Sequence, residues 1–523
     1  MKNFFRHHSK YRHLDNQQTE RVIFLWSVPA NGHLNPTLCY ANELLTALPE
    51  MNCTKLVFYC GKSFKDVILN LPNNKGKNLI EFRDYELEKY TGTENLLKLM
   101  MDFDTRPGTL FRVFQCYENS VKLGAKHLFN RLIQDMHNDK PVLIVYDQAL
   151  FFPKIACELY SKKFRCPKPP HVSYVTTFMC ARGIYPYWSD LEKMGLLGSN
   201  LDLRKKFRIF FTTLNDFLHY LYTYYKTLWW DLEFSFLDLF LRCEIPLSKL
   251  QMIDKNLNLV FVMPEVQPRL KYFQNKDNIK FVGPSVDEVV RSNISQKKVD
   301  MEKYIQRIEE FLEKKSIDHY NNPKSAFMRS ESTGENFKKY HKPIIYVSMG
   351  TVFNNENSHL FKILIEGCKI FSDKYAVIVS TGDEKTYEKY AGLYTNENIL
   401  LIPHTPQVEI LKRAHLFITH AGMNSVSEAV NYGVPIICIP LSGDQPFVAW
   451  RVADELGIGI RLQPDESLTV ERVIASVKTI LNDPSYREKA QELARLSKNY
   501  AGHKTAKDHT IKFLHDYEAK MLM

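Results

Sequence analysis

The apolar residues of this chain fall into short continuous runs separated by longer stretches of mixed polarity. In the first half the runs are RVIFLWSVP, KLVFYCG, PVLIVYD, HVSYVTT, LVFVMP and KFVGP. In the last third a second series follows, with PIIYVSMG, YAVIVSTG, ILLIP, LFITH, VPIICIP and GIGIRL. Runs that are apolar at nearly every position are typical of strands buried on both faces of a parallel sheet. The pattern predicts an α/β protein with two doubly wound domains in tandem.

The pattern divides the chain into five segments. Residues 1–20 are a polar N-terminal extension, residues 21–285 form the first domain and residues 341–490 the second. Residues 286–340 are rich in Lys, Glu, Asn and Ser, so we expect a charged linker with an insertion, which contains one possible amphipathic helix around Met301 to Lys314. Residues 491–523 are expected to form C-terminal helices that cross back to the first domain.

An aromatic-dense segment interrupts the first domain at residues 205–240. Charges at Asp216, Lys226, Asp231 and Glu233 exclude a membrane span. Two interpretations remain: a pair of amphipathic helices that pack on the sheet, or a lid that lines an apolar binding pocket.

Composition narrows the class of protein. The chain has 523 residues and is 45% hydrophobic, enough for large globular cores. Its ten cysteines form no CxxC pair, and its N-terminus has no apolar signal segment, so we expect reduced thiols and a cytoplasmic location. The net charge of +10 arises from interleaved acidic and basic residues without a nucleic-acid-binding signature. No transmembrane segment and no nucleic-acid partner are predicted.

Two strand ends in the first domain carry side chains suited to proton transfer. His33 follows the first strand, in a loop before the helix that Pro36 opens, and Asp147 ends the strand PVLIVYD. Because ligands bind beyond the carboxyl ends of parallel strands, we expect the two side chains to meet there. The carboxylate would orient the imidazole, which could then accept a proton from a hydroxyl. The alternatives are a solvated or capping His33 and an Asp147 that only caps the next helix.

The stretch LFITHAGMNSVSEAVNYGVPIICIP predicts strand, turn, helix and strand, with Gly433 ending the helix. Its small residues leave backbone N–H groups uncovered at a helix start, which favours a phosphate. An ordinary capped turn is the alternative. Glu428, one turn into the helix, suits a ribose diol, and Asp444 with Gln445 suits sugar hydroxyls.

Residues 404–445, HTPQVEILKRAHLFITHAGMNSVSEAVNYGVPIICIPLSGDQ, resemble the nucleotide-sugar signature of the UDP-glycosyltransferases of glycosyltransferase family 1. The His33 loop and the strand end at Asp147 also match that family. The resemblance implies a GT-B fold, in which two Rossmann-like domains face each other across a cleft. It implies an inverting reaction in which His33 deprotonates the acceptor hydroxyl and Asp147 stabilises the imidazolium, without a metal or a cofactor.

The resemblance also implies the ligand sites. The second domain would bind the UDP-sugar, a co-substrate that we expect to be UDP-glucose, and the first domain a small lipophilic or phenolic acceptor. Phe178 and Met179 are candidates for the acceptor pocket. The residues assigned to the UDP-sugar are Ser348, Gly350, Thr351, His404, Gln407, His420, Gly422, Asn424, Ser425, Glu428, Asp444 and Gln445.

Three positions depart from the family pattern. His404 stands where many members stack a Trp on the uracil, Met423 replaces a frequent Trp, and Val448 a frequent Asn. The changes at His404 and Val448 leave open a protein on the same fold that binds a UDP-sugar or a lipophile without turnover. A DxD metal motif at residues 102–104 is the other alternative, but two nearby acids are more often a solvated face.

Overall fold

The computed structural model describes residues 20–86, 128–150, 152–179, 256–290, 301–320, 343–350, 358–396, 398–441 and 444–523. The aromatic segment 205–240, the DxD tripeptide at residues 102–104 and Thr351 lie outside the described residues. Nearly all of the N-terminal extension lies outside them too.

The first domain is built on a parallel sheet of seven strands. In chain order they are β1 (Val22–Trp26), β2 (Lys55–Cys60), β3 (Ile80–Asp84), β4 (Leu143–Asp147), β5 (His171–Val175), β6 (Leu257–Val260) and β7 (Ile279–Phe281). Their spatial order is β3-β2-β1-β4-β5-β6-β7. The chain order reverses between β1 and β4, and a ligand crevice forms at such a reversal, beyond the carboxyl ends of the strands.

Helices cover both faces of this sheet. They are α1 (Asn31–Ala47), α2 (Lys65–Leu69), α3 (Phe129–Asp139) and α4 (Phe152–Phe164). Leu143 and Val145 of β4 pack in one core with α1, while Ile144 and Tyr146 pack in another with α3 and α4. The strand is apolar at successive positions because both of its faces are buried.

The second domain has a parallel sheet of six strands. They are β8 (Ile344–Ser348), β9 (Ala376–Ser380), β10 (Ile399–Ile402), β11 (Ala414–Thr419), β12 (Ile436–Cys438) and β13 (Gly459–Arg461), in the spatial order β10-β9-β8-β11-β12-β13. The helices in and around it are α5 (Met301–Tyr320), α6 (Ser358–Lys369), α7 (Glu384–Tyr394), α8 (Gln407–Leu411), α9 (Met423–Tyr432), α10 (Gln445–Ala449), α11 (Val470–Asn482) and α12 (Pro484–Ser497). The predicted pair of doubly wound α/β domains is confirmed.

Helix α5 lies in the segment expected to be a charged linker, and its apolar side chains are packed. Tyr304, Ile308, Phe311 and Leu312 are buried in the same core as residues of β8 and β10. The spacing of these four residues produces one apolar stripe on an otherwise charged helix. This part of the segment is therefore a structural layer of the second domain.

The last helix, α13 (His503–Leu522), packs on α1 of the first domain. Tyr40 of α1 contacts the hydroxyl of Thr510 at 2.5 Å, and Lys507 lies 3.5 Å from the carboxylate of Glu43. Ala506, Ile511 and Leu514 complete the core beside α1. Within the described residues, no helix is both long and apolar enough to cross a bilayer.

The chain enters α13 through Gly502, which has a φ of +48°. A Cβ atom at this position would lie 2.0 Å from the carbonyl oxygen of Pro284. Gly502→Ala should therefore lower the free energy of unfolding by about 2 to 4 kcal/mol, through backbone strain and overlap. Urea unfolding followed by circular dichroism measures this change.

Gly392→Ala is the matched control, because a Cβ atom there meets no atom within 4 Å and the residue lies inside α7. Its expected effect is stabilisation by about 1 kcal/mol. Equal effects of the two substitutions would contradict a tight passage at Gly502.

Candidate active site

His33 lies in the first turn of α1, directly beyond the carboxyl end of β1. The helix begins at Asn31, so the expectation of a loop residue before a helix opened by Pro36 is wrong. A proline removes only its own N–H bond, and the turn before it is closed by a 2.7 Å bond from the Leu34 N–H to the Ala30 oxygen. The helical turn thus holds the imidazole at the edge of the sheet.

Asp147, the last residue of β4, faces His33 because β4 pairs directly with β1. The His33 Nδ1 lies 2.8 Å from the Asp147 Oδ2, and the Asp147 Oδ1 accepts a 2.9 Å bond from the Ala149 N–H. Asp147 is 1% exposed and His33 is 26% exposed. A carboxylate only accepts hydrogen bonds, so the neutral imidazole carries its proton on Nδ1 and offers Nε2 as an acceptor.

Two groups that were not singled out in the sequence complete the surroundings of His33. The Thr176 Oγ1 lies 3.1 Å from the His33 Nδ1, and Thr177 donates a hydrogen bond to the Asp444 carboxylate of the second domain. Both threonines directly follow β5. Their position at a strand end is the feature of the sequence that could have marked them as site residues. Asp444 thereby reaches the first domain, close to the imidazole.

The charges around His33 act in opposite directions on its pKa. Burial lowers the pKa, but the charge of Asp147, its hydrogen bond and the charge of Asp444 together raise it above the ordinary 6.5. His33 is therefore poised to hold a proton more firmly than a solvated histidine does.

His420 follows β11 and lies between two glycines. A Cβ atom on Gly422 would be 2.5 Å from the His420 Nε2, and one on Gly350 would be 2.8 Å from the Cε1. Burial lowers the pKa of His420 to about 4, although a hydrogen bond with the Ser348 backbone opposes the shift. The imidazole is therefore neutral at physiological pH, and it fits only because both neighbours lack a side chain.

Helix α9 starts at this point with Gly422 as its N-cap and ends at Gly433, which has a φ of +65°. The first N–H groups of α7, α11 and α12 bond to the side chains of their Asp or Thr caps. Gly422 has no side chain to offer, so the first turn of α9, which includes Asn424 and Ser425, retains uncovered donors. Ala421, just before the cap, has a strained φ of +62°.

A buried polar network connects α8 to α9. The Gln407 Nε2 donates to the Glu428 Oε2 at 2.7 Å and to the Ser425 Oγ at 3.2 Å. Its Oε1 accepts from the Tyr346 hydroxyl at 3.2 Å, and that hydroxyl also contacts Thr405 at 2.6 Å. Glu428 is 2% exposed. The network fixes a carboxylate at the edge of the cleft between the domains.

A small cavity opens beside this network. Its lining comes from both domains, namely Asn35, Pro36, Thr176, Phe261, Ser285, Val286, Asn424, Ser427 and Glu428. The start of α1 and the start of α9 thus face the same space.

The remaining predicted residues are more closely packed. Gln445 accepts a 2.8 Å bond from the Leu441 N–H, and His404 is partly buried next to α8. Phe178 and Met179 are 1% and 0% exposed in a core shared by both domains. Gln267, which carried no sequence signal, forms 2.9 Å bonds to both the N–H and the carbonyl of Met179.

Residues 328–502 match the family model described as UDP-glucoronosyl and UDP-glucosyl transferase. The chain is also 26% identical over 489 residues to a protein of Bacillus subtilis (strain 168) named uncharacterized UDP-glucosyltransferase YojK, an alignment that covers 93% of this chain and 96% of the relative. The family match and this relative together support a family 1 UDP-glycosyltransferase. The same similarities support an enzyme that transfers sugar from a UDP-sugar.

Solved glycosyltransferases share the fold of this chain. The calicheamicin glycosyltransferase CalG4 superposes with a TM-score of 0.60 at 18% identity, over 95% of this chain and 98% of CalG4. Medicago truncatula UGT71G1, solved with UDP-glucose, has a TM-score of 0.55 at 15% identity, over 95% of this chain and 98% of its own. Both support the GT-B fold predicted from the sequence, which is confirmed.

The opposite environments of His33 and His420 predict separate titrations. In the ¹³C-histidine NMR spectrum of this protein, His33 should titrate above pH 6.5 and His420 near 4. Removing the charge in Asp147→Asn should lower the pKa of His33, and Asp444→Asn should lower it less. A His33 that titrates below 6.5 in the unmodified protein would disprove this electrostatic arrangement.

Proposed function

We propose that this UDP-glycosyltransferase moves a hexose, with inversion and without a metal ion, to a hydroxyl of a small lipophilic or phenolic acceptor. UDP-glucose is the expected donor and His33 the general base. The observation that carries the proposal is the 2.8 Å contact between the His33 Nδ1 and the buried Asp147 Oδ2. This pair leaves Nε2 as the acceptor of a proton.

In the proposed step, Nε2 takes the proton of the acceptor hydroxyl. The oxygen attacks the anomeric carbon, a new C–O bond forms on the face opposite the leaving group, and the bond to UDP breaks with its electron pair going to UDP. Asp147 stabilises the imidazolium that results. A single displacement of this kind inverts the anomeric centre.

The uncovered N–H groups at the start of α9 support a diphosphate site there. Gly422, Asn424 and Ser425 would contribute backbone donors, beside the ring of the neutral His420. Ser348, 6% exposed at the end of β8, lies beside them. These donors would stabilise the charge that develops on UDP as the bond breaks.

The carboxylates in the cleft support the other donor contacts. Glu428, oriented by Gln407, would accept from the ribose hydroxyls, and Asp444 with Gln445 would hold the transferred sugar. The hydrogen bond between Asp444 and Thr177 spans the two domains, next to the proposed base. A sugar bound by Asp444 would thus lie within reach of an acceptor held at His33.

Loss of the base should slow transfer strongly without preventing donor binding. His33→Ala is expected to reduce kcat by about 10²- to 10⁴-fold, while the Kd for UDP changes less than threefold. Mass spectrometry of products from UDP-glucose, UDP-glucuronic acid or UDP-N-acetylglucosamine with a panel of phenols and lipophilic alcohols, with EDTA present, measures transfer. His359→Ala, on the exposed surface of α6, is the control.

The same assay tests the electrostatics. The base must be neutral, so activity should fall as the pH falls through the pKa of His33, above 6.5. In Asp147→Asn this acid limb should shift to lower pH as kcat drops. Undiminished transfer by His33→Ala would refute the proposed base, and loss of transfer in EDTA would refute a metal-free mechanism.

The proposed diphosphate site depends on space at Gly422. Gly422→Ala would displace the His420 ring, because the added Cβ atom would lie 2.5 Å from its Nε2. We expect the Kd for UDP, measured by isothermal titration calorimetry, to rise at least about tenfold. Gly392→Ala, which meets no atom within 4 Å, should bind UDP normally. Normal binding by both variants would argue against a diphosphate at α9.

A further inference from the structure

Gln148 is a buried amide that the mechanism above does not use. It is 5% exposed, and within the described part of the chain neither its Oε1 nor its Nε2 has a hydrogen-bond partner. A primary amide offers two donors and two acceptor lone pairs, so leaving all of them unpaired in the interior costs free energy. An unsatisfied group of this kind in a native protein calls for an explanation, and a ligand is one.

The position of Gln148 indicates which ligand would bind its amide. Gln148 directly follows Asp147, and its N–H bonds to the Tyr174 oxygen at 2.9 Å, so it continues the pairing of β4 with β5. It therefore lies at the carboxyl edge of the first sheet, where ligands of such sheets bind. The residues proposed for UDP are all in the second domain, and the acceptor is the ligand that the first domain must hold.

Strand alternation separates Gln148 from the proposed base. Leu143 and Val145 pack on the α1 face, and Asp147 continues that series toward His33. Gln148 instead continues the series of Ile144 and Tyr146, on the face covered by α3 and α4. An acceptor whose hydroxyl meets His33 would have to extend over the end of β4 to reach Gln148.

We propose that the Gln148 amide binds the acceptor substrate through two hydrogen bonds. Its Nε2 donates one of them and its Oε1 accepts the other. The inference rests on the proposed function and narrows its acceptor class to a phenol or alcohol with a second polar group. That group both accepts and donates, as a primary carboxamide does, and lies on the side of the acceptor away from the reacting hydroxyl. Such a ligand satisfies both ends of the buried amide at once.

The test separates acceptor binding from turnover. Isothermal titration calorimetry of the protein gives the Kd for 4-hydroxybenzamide and for 4-ethylphenol, a probe of similar size without the amide. UDP is present in both titrations, and it cannot donate a sugar. The unmodified protein should bind the benzamide more tightly. In Gln148→Met, which keeps the unbranched shape, the Kd for 4-hydroxybenzamide should rise about tenfold and that for 4-ethylphenol less than twofold.

Stability supplies an independent readout with a matched control. Gln267 is also a buried glutamine, 1% exposed, but its amide bonds to the Met179 backbone and to the Pro268 carbonyl. Gln267→Met should therefore lower Tm, because it leaves backbone groups unpaired. Gln148→Met, which removes groups that have no partner, should leave Tm unchanged or raise it. Gln148→Leu is the second variant in case methionine packs poorly.

Equal affinity of the unmodified protein for the two probes would overturn the proposal. So would a Gln148→Met variant that keeps its affinity for 4-hydroxybenzamide, or one that unfolds as readily as Gln267→Met. None of these results depends on sugar transfer. Failure of transfer in the His33 assays would count against the proposed function alone.

Discussion

Parallel pairing brings the carboxyl ends of all strands of a sheet to one edge, and the chemistry of this protein depends on that constraint. In the first sheet it brings His33, Asp147 and Thr176 together, although they lie at the ends of three different strands. In the second sheet it brings the ends of β8 and β11 together, so that Gly350 and Gly422 enclose the His420 ring. Each half of the cleft is thus assembled from residues distant in sequence.

Side-chain contacts connect the two domains, in addition to the chain that passes between them. Arg451 of the second domain donates to the carbonyl oxygens of Glu265 and Val266 in the first, at 2.9 and 3.0 Å. Phe178 and Phe447 pack edge to face with ring centroids 5.2 Å apart, within one hydrophobic core that extends through both domains. Such contacts hold the strand ends of the two sheets close together. A charged group of one domain can therefore shift the pKa of a group in the other, as Asp444 raises the pKa of His33.

Glycine and helix geometry distinguish the proposed donor side from the proposed base side. The proposed UDP-sugar side consists of uncovered backbone N–H groups at the start of α9. A Cβ atom at Gly350 or at Gly422 would overlap the His420 ring. The base side instead depends on a buried carboxylate that is satisfied twice, by His33 and by the Ala149 N–H. The first arrangement suits an anion, whereas the second stabilises a cation, and both charges are expected to develop in the proposed transfer.

The sequence by itself determined the two sheets and the unit from β11 to β12, because strands buried on both faces must be apolar at successive positions and Gly433 must adopt a positive φ. It also indicated that His33 follows one strand and that Asp147 ends another. Only the tertiary structure decided that α1 begins at Asn31, that α5 packs as part of the second domain, and that Thr176, Thr177 and Gln267 contact the site residues. Those features depend on distances between segments far apart in the chain, and periodicity carries no information about such distances.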